Sequence, residues 1–168
     1  GSALKALEDA EEEGDEPGID FLREKLGVIW GCLMQDSSTA SNIGEDSMRR
    51  ITRWMRRHAE DKEVQLLGFK IVRSLATTRE NLVKLLRMET IKIAVSALRN
   101  WELVELHELA IVFLCTAAGV RELRTEIWQE GGVKAVYNSM SKFGKRFELQ
   151  HAALSLLLQL VEEQGLVS

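Results

Sequence analysis

Proline is almost missing from this chain: among 168 residues only Pro17 is one. Nothing downstream of it interrupts a helix covalently. Cysteine is as scarce, with Cys32 and Cys115 alone. They lie in the first and third units of a repeating pattern, and a disulfide would have to cross the unit between. Reduced thiols packed as small hydrophobes and an intracellular, cytoplasmic setting are therefore expected. The longest apolar stretch, 109–120, is 12 residues, too short for the roughly 20 that span a bilayer. No secretory signal is visible, so membrane insertion is not expected.

Catalytic signatures are missing too. The chain holds no Gly-x-Ser-x-Gly elbow, no His-Glu-x-x-His and no phosphate-cradling glycine loop. His58, His107 and His151 fall in different repeat units, none with a second ligand-type residue at a metal spacing. No enzyme activity, no cofactor and no metal are expected, which leaves binding as the class of function.

What the chain does have is a period. Beginning at Leu22, Val64, Leu106 and Leu149, one apolar pattern recurs at spacings of 42, 42 and 43 residues. Its core columns read Leu26/Gly68/Ala110/Ala153, Trp30/Val72/Leu114/Leu157 and Leu33/Leu75/Ala117/Leu160. Apolar content is 45% and helix formers dominate, which sets an all-α class. The 3.6-residue periodicity predicts a helix over 19–35, a second over about 47–58, and then the order long helix, short helix, helix twice over. A last long helix covers roughly 146–163. The polar stretch 36–46 reads as a degenerate repeat segment or an exposed loop. Gly131-Gly132 marks a sharp turn before a helix, with Glu89-Thr90 as its counterpart one unit earlier.

Charge is uneven. The net charge is −4, but residues 1–20 carry eight acids against Lys5, and the remainder is net positive. Residues 1–18 read as an acidic linker or disordered tail ending in Glu16-Pro17-Gly18. Gly1-Ser2 has the form of a cloning remnant, and the chain is expected to be cut from a longer protein. Residues 19–168 are expected to form the repeat domain. Within it, 48–58 (MRRITRWMRRH) holds five arginines and no acid.

A repeat of roughly 40–47 residues built from helices belongs to HEAT and armadillo solenoids. The stretch ELRTEIWQEGGVKAVYNSM followed by ELQHAALSLLLQLV resembles the armadillo consensus, and EVQLLGFKIVRSLATTRENL resembles it as well. The resemblance covers 19–163 and implies an armadillo-type right-handed α-solenoid of about three and a half repeats. In that family the third helices line a concave groove that binds extended peptides or partner segments. The tryptophan and asparagine ladders of importin-α-type members are absent here: those columns read Val28, Lys70, Val112, Ser155 and Cys32, Ser74, Thr116, Gln159. A β-catenin-like basic groove is matched only in part, by Lys70 and Arg73.

The resemblance implies a partner-binding groove formed by Glu24, Val28, Cys32, Gln35, Lys70, Arg73, Ser74, Glu108, Val112, Thr116, His151, Ser155 and Gln159. Small, apolar and polar groups mixed in this way suit a surface that hydrogen-bonds a peptide and buries a few side chains. A plain solvated helix face is the bland reading of the same residues. The second candidate is a basic patch of Arg49, Arg50, Arg53, Arg56 and Arg57, with Trp54 as an exposed anchor among them. Its bland readings are a soluble face or a contact with the acidic 8–16 segment. The function expected is a scaffold that binds a partner protein or peptide. The alternative is self-association, as a homodimer, or docking of the arginine helix or the repeat ends on an acidic protein or phospholipid headgroup surface. One basic helix on an otherwise acidic chain lacks the long basic stripe a nucleic acid needs. Trp30 and Trp128 are expected in the core, and His107 in an ordinary surface polar contact.

Overall fold

The computed structural model describes residues 18–163, together with Lys5. Apart from Lys5 and Gly18, the acidic segment therefore lies outside the described residues. Among the described residues there are ten helices and no strand. They are α1 (Ile19–Gln35), α2 (Thr39–Asn42), α3 (Glu45–Arg57), α4 (Lys62–Leu75), α5 (Arg79–Leu86), α6 (Thr90–Asn100), α7 (Val104–Ala117), α8 (Arg121–Gln129), α9 (Gly132–Lys142) and α10 (Phe147–Glu163). None is long and apolar enough to cross a membrane. The chain divides into two compact units after Leu75.

The first unit holds α1 to α4. Leu22, Leu26, Ile29 and Leu33 recur every three or four residues along α1 and are all buried. α1 packs along α4 with their N-terminal ends together, fixed where Arg23 donates to the Asp61 carboxylate. Asp61 also accepts the backbone N–H of Val64 at 2.9 Å, so one carboxylate caps α4 and ties it to α1. α3 crosses α4 closely because Gly68 has no side chain: a Cβ there would lie 2.6 Å from Met55 Cγ. The segment 36–46, read as a degenerate repeat segment or an exposed loop, contains the short helix α2, and Ala40 and Ile43 are buried there.

The second unit holds α5 to α10. α6 and α7 pack together, α9 and α10 do the same, and α10 lies along α7. Arg146 pairs with Glu108 at 2.8 Å near the N-terminal ends of α10 and α7, and Gln159 reaches Cys115 near their C-terminal ends. The two helices are therefore parallel neighbours. Thr78 caps α5 by accepting from Asn81 N. Gly132 lets α9 start tightly against α8, since a Cβ would meet the Ile127 carbonyl oxygen at 2.9 Å.

One polar device appears in both units. Gln65 donates to the carbonyls of Met55 and His58, at 2.8 and 3.1 Å. Gln150 donates to those of Met140 and Phe143, at 2.9 and 3.1 Å. Each glutamine thus satisfies carbonyls left open where the preceding helix ends.

Candidate functional site

In the first unit, Glu24, Val28, Cys32 and Gln35 form an exposed face of α1. Cys32 is exposed rather than packed as a small hydrophobe, and its thiol is free. On the neighbouring α4, Arg73 is exposed and Lys70 and Ser74 are half-buried. Packing of α1 along α4 brings these two groups onto adjacent helices.

The basic patch is only partly as expected. Arg49, Arg56 and Arg57 are exposed and Arg50 and Arg53 half-buried, because Met48, Ile51 and Met55 take the inner stripe of α3. Trp54 is not an exposed anchor. It is buried, stacked on His58 and covered by the Arg57 guanidinium 5.6 Å above its ring. Its alignment with the small residues Ala97 and Ser139 is the ground for expecting exposure, but it points the other way, since both of those positions are buried. The patch is therefore arginine over an aromatic floor. Beside it, an open depression of about 510 Å³ is lined by Ile19, Arg57, His58, Ala59, Glu60 and Asp61.

In the second unit, α7 and α10 place the remaining groove residues side by side. Glu108 and Val112 are half-buried and Thr116 is exposed; on α10, His151 is exposed and Ser155 and Gln159 are half-buried. Gln159 Nε2 lies 3.5 Å from both the carbonyl oxygen and the Sγ of Cys115. Burial pushes the Cys115 thiol above its ordinary value, while the Gln159 contact pulls the other way. A thiol held protonated in this way is a poor nucleophile.

His107 is not a surface contact. It is buried, with Nε2 2.6 Å from the Trp101 carbonyl and Nδ1 2.7 Å from Ser139 Oγ. A carbonyl can only accept, so Nε2 carries the proton and the neutral ring accepts from Ser139 at Nδ1. Burial lowers the imidazole's pKa, and the Trp101 carbonyl partly opposes it. Trp30 and Trp128, expected in the core, are half-buried, Trp128 donating to the Leu160 carbonyl at 3.1 Å.

The most exposed apolar surface was not singled out in the sequence. Along α10, Phe147, Leu154 and Leu158 are 77, 54 and 59% exposed, on the same face as His151, and Tyr137 of α9 is 64% exposed. Phe147 stacks on His151 with ring centroids 6.2 Å apart. The repeat register aligns Leu154 with Ile111 of α7 and Tyr137 with Val95 of α6, and both of those are fully covered. The signal was available: apolar residues outside the core columns in the last unit, at positions where the previous unit is apolar and packed.

Among the described residues no group of three or more His, Cys, Asp or Glu could hold a metal. No protein-family model matches the chain, and no curated protein does. Among solved structures, the crystal structure of an engineered protein superimposes with a TM-score of 0.75 at 15% identity. The match covers 96% of this chain and 62% of that one. At that identity the likeness carries the fold and nothing more: this is an all-α protein, and the engineered protein is similar to it in architecture.

Proposed function

We propose that this chain is a non-catalytic, armadillo-type repeat module that binds a segment of a partner protein on third-helix faces, those of α7 and α10 in the second unit and of α1 and α4 in the first. The observation that carries the reading is the open face of α10. Phe147, His151, Leu154 and Leu158 stand at i, i+4, i+7 and i+11, a line about 16 Å long. On α7 the equivalent positions are Val104, Glu108, Ile111 and Cys115, where Ile111 is buried and the other three are half-buried. A helix presenting an apolar stripe at that spacing therefore fits α10 as α10 fits α7. The polar groove residues Ser155 and Gln159, with Thr116 across on α7, border the line and supply donors and acceptors for polar side chains flanking the partner's stripe. The repeated glutamine device and the matching turns at Glu89 and Gly131 support the armadillo-type assignment, as does the 42-residue register.

The test is affinity capture on the native chain, on Leu154→Glu/Leu158→Glu and on Lys70→Glu/Arg73→Glu, each first checked for an unchanged melting temperature. The reading expects partners to be lost from the α10 variant, and loss from the α4 variant marks a binding face on the first unit. Partners retained by both variants would overturn it. The five arginines on one side of α3 favour a second reading, docking on an acidic protein or phospholipid headgroup surface. Capture that survives both groove variants but fails with Arg53→Gln/Arg56→Gln selects it.

A further inference from the structure

We propose that a second copy of this chain covers the open face of α10, two such helices pairing antiparallel about a two-fold axis between His151 and Leu154. The inference rests on the reading of α10 as a protein-binding face and names an occupant for it.

The stripe is its own complement. Phe147, His151, Leu154 and Leu158 follow one another at steps of four, three and four residues, an order that is the same from either end. Alternating steps of three and four are those of the apolar seam of a coiled coil. Turned end for end, the stripe sets Phe147 against Leu158 of the second copy and His151 against its Leu154. The same two contacts then recur with the copies exchanged, as a two-fold interface requires. The face is also within reach. α7, α8 and α9 all pack on α10, yet Phe147, Leu154 and Leu158 stay more than half exposed.

Charge at the two ends of the helix sets the direction. Lys145 stands just before α10 and Glu162 in its last turn, both exposed. Antiparallel pairing brings Glu162 level with residues 143–145 of the second copy, acid toward base, and does so at both ends. Parallel pairing would put Lys145 level with Lys145 and Glu162 level with Glu162, which like charges oppose. It would also set the two helix dipoles side by side in the same sense.

Area sets the strength. The four side chains present roughly 400–500 Å² on each copy, so the pair covers roughly 800–1,000 Å² in all, the small end for a specific interface. A dimer of that size is weak: it forms at high chain concentration and comes apart on dilution. An external segment with a better fit can therefore displace the second copy.

The experiment is sedimentation equilibrium on the full chain, from low-micromolar to sub-millimolar concentration, beside Leu154→Glu/Leu158→Glu and Phe147→Ser. Circular dichroism and the melting temperature check each fold, and Phe147→Ser decides should the double variant fail to fold. The expected native mass rises from one chain to two, with association at least ten-fold weaker in the variants. Direction is read by oxidising Phe147→Cys/Leu158→Cys, made in a Cys32→Ser chain, and mapping the linked peptides. Links from position 147 to position 158 are expected; these positions are about 16 Å apart within one helix, so such a link joins two chains. Links of 147 to 147, or none, would overturn the antiparallel pairing. A chain that stays single at every concentration would overturn self-pairing while leaving the external-partner reading to the capture test. A dimer equally tight in native chain and variants would lie elsewhere on the surface and equally refute the proposal. A dimer lost from Leu154→Glu/Leu158→Glu whose captured partners are all retained would uphold the pairing and sink only the external-partner reading.

Discussion

Glu89 and Gly131 hold the same left-handed backbone conformation at the same place in successive repeats. Their φ and ψ are 59° and 28° for Glu89, and 78° and 26° for Gly131. Each is the N-cap of the helix that follows a short one, and among the described residues they are the positive-φ positions. Glycine takes this conformation without steric cost, whereas a residue with a Cβ is strained by about 1 kcal/mol. Glu89→Gly should therefore stabilise the chain by about that amount, because the exposed Glu89–Lys92 pair it removes is worth little. Gly131→Ala should destabilise it, since the new Cβ would also lie 2.5 Å from Arg99. Urea titration of the two variants checks both signs.

His107 gives a pH dependence with a definite sign. Its pKa is lowered in the folded chain by burial, against about 6.5 for an unperturbed histidine. The unfolded chain then binds the proton more readily, so stability is full above about pH 6.5 and falls as the pH drops below it. The groups facing the ring are the Trp101 carbonyl, Ser139 and the Phe143 ring, with Glu102 and Lys142 acting at longer range. His107→Gln should flatten the profile, as Gln65 and Gln150 serve the equivalent positions. His107→Leu leaves Ser139 and the Trp101 carbonyl short of this partner and should cost about 1–3 kcal/mol. Chemical denaturation between pH 5 and 8 separates the three chains.

Asp61 contributes at lower pH. The Arg23 hydrogen bond, opposed by partial burial and aided by the Val64 N–H, holds its carboxyl below the ordinary carboxylate range. The stability it supplies is present above about pH 4 and lost as the pH falls through the folded value. Asp61→Asn keeps an N-cap oxygen for α4 and loses the ion pair, which is partly solvated and worth about 1 kcal/mol or less. Its acid unfolding curve should lie closer to its neutral one than the native chain's does, measured by circular dichroism below pH 5.

The turns were legible because the physics is local. Gly131-Gly132 announces positive φ, and the period carries the same turn to Glu89, where the residue type alone would never have suggested it. The helices were legible because their apolar columns repeat, and the all-α architecture followed from them. Trp54 was misjudged because its alignment with the small residues Ala97 and Ser139 was taken to mean an open position, whereas both of those are buried. Its burial depends on Arg57 folding back across the ring and on His58 stacking beside it, neither of which helical spacing encodes. His107 was misjudged because its partner Ser139 is 32 residues away, and only the tertiary fold of the second unit brings them together. The open face of α10 was missed because core columns were sought and their outward neighbours were not. Those neighbours are apolar in both of the last two units, and only the structure tells which row is covered.

If the proposed face on α10 binds a partner, Leu154→Glu/Leu158→Glu should separate binding from stability. Leu154 and Leu158 are more than half exposed, so replacing them with Glu removes little packing and should change the folding free energy by about 0.5 kcal/mol or less. Covering the remaining exposed half of either leucine under a partner is worth about 1 kcal/mol or somewhat more, so losing both should weaken binding by about ten-fold or more.

Isothermal titration of the captured partner into the native chain and into Leu154→Glu/Leu158→Glu tests the central claim most directly. A loss of at least ten-fold in affinity, with an unchanged melting temperature, is the result this account requires. Equal affinity for the two chains would contradict it and take the partner off α10 altogether.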